Sequence, residues 1–371
     1  MDIIARRIMT KTRNSCTTTA PTMMMWMTIV ALTIIIWSSL QLGPEFSLQS
    51  SSHQSRAAGS VISKTVPVYK HHVEDGAEWS SSSLLGLIRY HFDPSMKSNT
   101  CSHLLLLGVG TTMKVADYER ISKAIVRGKS TVVVFTDHNV DSFKKTSPQK
   151  YASLFNETIQ QLENLIPYCE SRNPAILFGG HSASGQAALQ AWQMGLLGDP
   201  DSHTMPAGFI GLDPYLISSK TLNKSIELTL PSLNWGFSNT TCLVDVEKAA
   251  RAAYGLTRHE ARVLYALRNE EGTADAAMTH CVFADHGCGI PPFTCGAQMN
   301  FDWVLDAVAT GIHLFLTAID RRNPFHRNQF NLPKDIKDRT RVYVNDDNPN
   351  PMENSEENVP VGNLGVGMRY R

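Results

Sequence analysis

The chain has no excess of either charge: Lys plus Arg and Asp plus Glu number 34 each among 371 residues, so the formal net charge is zero. Without surplus cations it cannot neutralise many phosphates, which argues against nucleic-acid partners. Charged residues make up only 18% of the chain and hydrophobic ones 42%, a balance that excludes wholesale disorder and is enough to bury a large core. No internal repeat is present, which excludes solenoids and propellers. Close ligand pairs of the C-x2-C or H-x3-H kind are missing as well. Cys281, Cys288 and Cys295 do recur every seven residues around His280 and His286. Zinc sites want closer spacing, so no metal is expected.

Charge is absent altogether between Arg13 and Glu45, and inside that gap residues 23–42 form a mostly apolar run (MMMWMTIVALTIIIWSSLQL). At about 1.5 Å per residue such a run reaches roughly 30 Å, the thickness of a bilayer's hydrocarbon core. Arg6, Arg7, Lys11 and Arg13 precede it, which places the N-terminus in the cytoplasm and the body of the protein in the lumen or outside. The expectation is a single-pass signal anchor of the secretory route. The alternatives are a cleaved signal peptide giving a secreted protein, or entry into a plastid through the endoplasmic reticulum. Six cysteines follow the run (Cys101, Cys169, Cys242, Cys281, Cys288 and Cys295), an even set that permits disulfides in such a compartment. Sequons at Asn156, Asn223 and Asn239 fall on the same side.

The organisation expected is a basic cytoplasmic segment at 1–22, the membrane span at 23–42, a Ser-rich stalk at 43–65, a catalytic domain at 66–320 and a polar, loosely ordered tail at 321–371. Within the domain, short apolar runs at 103–109, 130–135, 175–180, 207–212 and 233–237 read as buried parallel strands. Between them, 118–126, 154–166 and 186–197 carry apolar residues at helical spacing, and 299–319 is a helix with a wide core-facing stripe. Strand and helix in regular alternation predict an α/β class, doubly wound, with a mostly parallel sheet covered on both faces.

The segment AILFGGHSASG at 175–185 runs from a strand into a helix through a turn of small residues. This is the setting of a nucleophile elbow, a strained turn that lifts a serine hydroxyl clear of the sheet. Ser182 is the candidate nucleophile, with Gly180, Ser184 and Gly185 as the small residues that let strand and helix approach. Ser184 stands where G-x-S-x-G has its last glycine. The serine's partners should follow in the order acid, then histidine. His286 is the candidate base, on a loop after the apolar run 281–284 read as a strand. His280, at the start of that run, is expected to face away, and His181 to serve in packing. Asp213, 31 residues after Ser182 at the end of an apolar run, is the candidate acid, with Asp245 and Glu247 as rivals. The backbone amides of Ala183 and Val109 are the expected oxyanion donors.

With those residues in view, the chain resembles the α/β-hydrolase superfamily and, within it, the chlorophyllase-like branch. GHSASG is similar to that branch's GHSRGG-type elbow, and Gly211, Leu212, Asp213 and Pro214 resemble its GIDP segment. The chain departs from the pattern in having Leu107 and Gly108 for a His-Gly pair, and Ala183 and Ser184 for Arg-Gly. The resemblance, over roughly residues 66–320, implies a cofactor-free esterase acting through an acyl-enzyme, with Ser182, Asp213 and His286 as its triad. The expected substrate is a small lipophilic ester, for chlorophyllases the phytyl ester of chlorophyll. A hydrolase fold without turnover, acting as a binding protein, and acyl transfer to an alcohol by the same triad are the alternative readings.

Overall fold

The computed structural model describes residues 60–72, 81–95, 101–137, 147–166, 169, 173–199, 204–216, 228–239, 241, 248–257, 260–268, 278–285, 289–290, 293–294, 301–321 and 325–345. The chain divides into two units, Met1–Arg56 and Ala57–Arg371, and all described residues belong to the second. The basic segment and the apolar run 23–42 lie outside them.

In chain order the main elements are β1 (Ile62–His72), β2 (Ser81–Phe92), β3 (His103–Gly108), α1 (Glu119–Val126), β4 (Thr131–Asp137), α2 (Pro148–Gln160), β5 (Ala175–His181), α3 (Ala183–Gln193), β6 (Gly208–Leu212), β7 (Ser232–Phe237), α4 (Ala250–Leu256), β8 (Arg262–Leu267), α5 (Asp302–Arg321) and β9 (Thr340–Val344). The strands form one sheet in the order β1-β2-β4-β3-β5-β6-β7-β8-β9. From β4 to β8 every neighbour is parallel. The antiparallel pairings are at the margins, β1 with β2, β2 with β4, and β9 with β8.

Alternation along the central strands explains their continuous apolar sequence. Leu105, Leu107, Val133, Phe135 and Leu177 enter one core with Ile121 and Ile125 of α1 and Val308, Ile312 and Phe315 of α5. Leu104, Leu106, Val132, Val134, Ile176 and Phe178 enter the other with Leu154 and Phe155 of α2 and Ala187 and Ala191 of α3. A strand buried on both faces has no polar side to show, hence LLLL and VVVF. Helix α2 starts where Pro148 follows Ser147, whose hydroxyl accepts from the Lys150 amide at 3.2 Å. Helix α5 is the one helix among the described residues long and apolar enough to cross a membrane, and ten of its residues are buried in the domain.

Several expectations change. Within the tail read as loosely ordered from residue 321, residues 325–345 are folded. Phe325, Phe330, Leu332 and Ile336 are buried, and β9 pairs with β8 from Thr340↔Leu267 to Val344↔Val263. The stretch assigned to the stalk already enters β1 at Ile62. Residues 281–284 do not form a strand; His280–Phe283 is a short 3₁₀ helix, capped by Thr279, whose hydroxyl accepts from the Cys281 amide at 3.3 Å. Cys101 and Cys169 form a disulfide. The half-buried Asn156 side chain is tied to the fold, donating to the Leu196 carbonyl at 2.8 Å and accepting from the Gly198 amide at 2.9 Å.

Candidate active site

The parallel strands all end on the same side, and that side gathers the chemistry. β5 ends at His181, α3 begins at Ala183, and Ser182 between them has φ 57° and ψ −128°. A residue with a side chain pays about 1–3 kcal/mol for such a conformation, so its surroundings must hold it there. They do so through the backbone. The Ser182 amide donates to the Leu212 carbonyl at 3.2 Å, and its own carbonyl accepts from the Gly185 and Tyr215 amides, both at 3.0 Å. The glycines are required by close approach: a Cβ on Gly180 would lie 2.7 Å from the Gly108 carbonyl oxygen, and one on Gly185 would lie 2.4 Å from the Pro214 Cβ. Ser184 fits in place of glycine because its Cβ faces the bare side of Gly180, and its hydroxyl donates to the Val109 carbonyl.

One strand over, Asp213 follows β6 with φ 44°, and its amide donates to the Trp235 carbonyl at 2.6 Å. Its side chain is buried, and Oδ2 lies 2.6 Å from Nδ1 of His280. A carboxylate only accepts, so Nδ1 carries a proton, and in the neutral ring Nε2 is then the acceptor. His280 Nε2 and Asp213 Oδ1 are both buried with no hydrogen-bond partner among the described residues. Leaving polar atoms unpaired in a core costs about 1–3 kcal/mol each.

His181 ties these parts together. Its ring lies 4.5 Å from that of His280, its Nε2 is 3.0 Å from the His280 carbonyl oxygen, and its Nδ1 is 2.7 Å from the Tyr118 hydroxyl. Burial, and then the neighbouring His280, hold His181 well below the usual histidine pKa, so it is neutral. Burial also drives the Tyr118 phenol far upward, so its proton stays on.

Ser182 and Asp213 therefore stand at neighbouring strand ends, and Asp213 is paired with a histidine that the sequence reading turned away. His280 faces Asp213 because a 3₁₀ turn, unlike a strand, does not send it to the opposite face. His286, Asp245 and Glu247 lie outside the described residues. Val109 does not offer the amide expected of it, since that N–H donates to the Thr136 carbonyl at 3.0 Å and extends the β3–β4 ladder. The next amide, of Gly110, donates to the Tyr118 hydroxyl at 2.8 Å. Ala183 is the first residue of α3, and its N–H has no intrahelical carbonyl to meet. Among the described residues no cluster of three or more His, Cys, Asp and Glu is placed to hold a metal. A groove of about 950 Å³ between α1 and α5, lined by Arg120, Lys123, Arg127, Asp306 and His313, shares no residue with the Ser182 turn.

A mostly parallel nine-stranded sheet in this order, with helices on both faces, is consistent with the α/β-hydrolase superfamily, and paired histidine and aspartate side chains suit a hydrolase scaffold. No family model matches the chain, and no curated protein matches it. The arrangement has nothing that singles out the chlorophyllase branch.

Proposed function

We propose that the chain is a serine hydrolase that cleaves a carboxylic ester, with Ser182 as nucleophile, His280 as base and Asp213 as the acid that orients it. The observation that carries this reading is the buried Asp213–His280 pair, at 2.6 Å, beside a serine held at positive φ between strand and helix. His280 Nε2 takes the Ser182 proton as the hydroxyl oxygen attacks the ester carbonyl carbon. The Ala183 amide and one from the turn at Thr111 and Thr112 hold the oxyanion. The intermediate collapses, and the leaving alkoxide takes the proton from His280. Water then attacks the acyl-enzyme, again giving its proton to His280, and the acid departs as Ser182 is restored. Catalytic hydrogen bonds commonly shorten only when substrate is bound.

The N-terminal apolar run supports a membrane-anchored or secreted enzyme with its domain in an oxidising compartment, and the Cys101–Cys169 disulfide agrees with that. A lipophilic ester suits this placement, and chlorophyll is the specific candidate that the sequence resemblance supplies. A second reading, a hydrolase fold that binds without turnover, is favoured by the Val109 and Gly110 amides being engaged.

One experiment separates these readings. The full chain is assayed for p-nitrophenyl butyrate and chlorophyll a hydrolysis and for fluorophosphonate labelling, beside Ser182→Ala, His280→Ala and His286→Ala. Turnover and labelling lost in Ser182→Ala and His280→Ala but kept in His286→Ala support the proposed site. Loss in His286→Ala with retention in His280→Ala returns the base to the position expected from sequence. Inert wild type that binds esters without labelling favours the second reading.

A further inference from the structure

The buried contacts of Tyr118 and His181 form a directed chain. The Gly110 amide donates to the Tyr118 oxygen at 2.8 Å, the Tyr118 hydroxyl sits 2.7 Å from His181 Nδ1, and His181 Nε2 sits 3.0 Å from the His280 carbonyl oxygen. A carbonyl cannot donate, so Nε2 of His181 bears the proton. Nδ1 is then the acceptor for the Tyr118 proton, and Tyr118 in turn receives the Gly110 N–H. Every polar atom has one role, and no alternative pattern satisfies all of them. Tyr118, His181 and His280 are each at most 4% exposed, so water cannot substitute. Space is equally fixed, since a Cβ on Gly110 would lie 2.7 Å from His181 Nδ1.

The chain of bonds joins three separate segments: the loop after β3, the residue just before Ser182, and the 3₁₀ turn that carries His280. These are the segments whose relative placement the proposed reaction requires. We propose that Tyr118 and His181 are positioning residues that hold the turn bearing His280 in register with Ser182 and with the loop after β3. The inference rests on the serine-hydrolase reading above, and deepens it. His181 touches the base through its backbone carbonyl and its ring face, never through the imidazole nitrogens of His280. A neutral His181 ring 4.5 Å from His280 adds no like charge when His280 takes a proton, whereas a cationic one would oppose that step.

The test uses the full chain in detergent micelles and two kinds of measurement. Histidine ring ¹⁵N spectra of wild type should show one imidazole held as the neutral Nε2–H form, lost in His181→Leu. Tyr118→Phe, which removes a single oxygen, should displace the signals assigned through His280→Ala to the His280 ring. In kinetics, Tyr118→Phe and His181→Leu should lower kcat by roughly 10- to 100-fold with KM within about twofold, as expected of misplaced catalytic groups. His181→Gln, whose amide N–H can reach the same carbonyl, should recover a large part of the loss. Unmoved His280 signals in Tyr118→Phe, unchanged kcat in both variants, or glutamine no better than leucine would each overturn the positioning role. Failure of the hydrolase reading has a different signature, a wild type that neither labels with fluorophosphonate nor turns over. The ring spectra then still decide whether Tyr118 is coupled to His280.

Discussion

Each end of the parallel sheet holds a histidine paired with an aspartate, and the two pairs are built differently. At the N-terminal end of the strands, His103 of β3 meets Asp320 of α5 at 3.0 Å, but the Asp320 side chain is 56% exposed. At the C-terminal end, His280 meets Asp213 at 2.6 Å with side chains only 5% and 1% exposed. The first pair asks nothing unusual of its backbone. The second sits among two non-glycine residues at positive φ, Ser182 and Asp213, and two buried polar atoms with no partner among the described residues, Asp213 Oδ1 and His280 Nε2. A His–Asp contact by itself is therefore a poor marker of chemistry. A positive-φ aspartate whose carboxylate meets a histidine with both side chains buried is a better one.

The largest expected effect breaks the two pairs apart directly. Asp213→Asn should reduce kcat by about 10³- to 10⁴-fold, because an amide facing Nδ1 can donate and so favours the wrong histidine tautomer. Asp320→Asn, which loses a half-exposed ion pair, should cost about 0–1 kcal/mol of stability and leave kcat unchanged. Steady-state ester hydrolysis with a thermal melt on each variant measures both. Equal losses of activity would mean that the contrast in burial and strain does not separate a working pair from a structural one.

Much of this arrangement was legible in the sequence. The runs HLLLLG, TVVVF, AILFGG and GFIGL are strands because residues buried on both faces leave a continuous apolar signature, and they place Ser182 and Asp213 at neighbouring strand ends. The turn at His280–Phe283 reads as a strand because a four-residue apolar run has the same composition as a strand or as a buried 3₁₀ turn. All of His280–Phe283 is buried, so no alternation of polar and apolar residues betrayed which one it was. The engagement of the Val109 amide could not be foreseen, since a backbone donor has no residue type. The segment beyond residue 321 looked loose because β9 is an edge strand with only Thr340 and Val344 buried, and its anchors Phe325, Phe330, Leu332 and Ile336 follow no single period.

A smaller effect tests whether crowding, as well as strain, differs between the ends. Gly185→Ala places a Cβ 2.4 Å from that of Pro214, where Asp213 is anchored, and should destabilise by about 1–3 kcal/mol through overpacking while lowering activity. Gly128, in the turn between α1 and β4 at the opposite end, has φ 65° and nothing within 4 Å of an added Cβ. Gly128→Ala should cost only the left-handed backbone penalty, about 1–2 kcal/mol, and leave kcat untouched. Chemical denaturation with parallel rate measurements distinguishes them, and a kcat loss in Gly128→Ala would show that the two ends are mechanically coupled.

The least effect concerns acid and the foot of the sheet. His313 of α5 is pulled down to about 4 by burial first and by the positive charge of Lys129 next, and His91 of β2 is likewise at about 4 through burial. Both are neutral when folded, and take up protons near 6.5 when unfolded. A histidine whose folded pKa is depressed gives stability that is complete above the unfolded value and declines as pH falls from about 6.5 to about 4, where the unfolded chain binds more protons. Glu119, held at about 2 by its hydrogen bonds to Lys123, Arg89 and Ser63 against the opposing effect of burial, loses its contribution only below about 4.5. Melting temperature should therefore fall by a few degrees between pH 6.5 and 4.5, and His313→Leu should flatten that slope without changing the steeper loss at lower pH. A slope that persists unchanged in His313→Leu would assign the acid response to the other depressed histidines, His91 and His181.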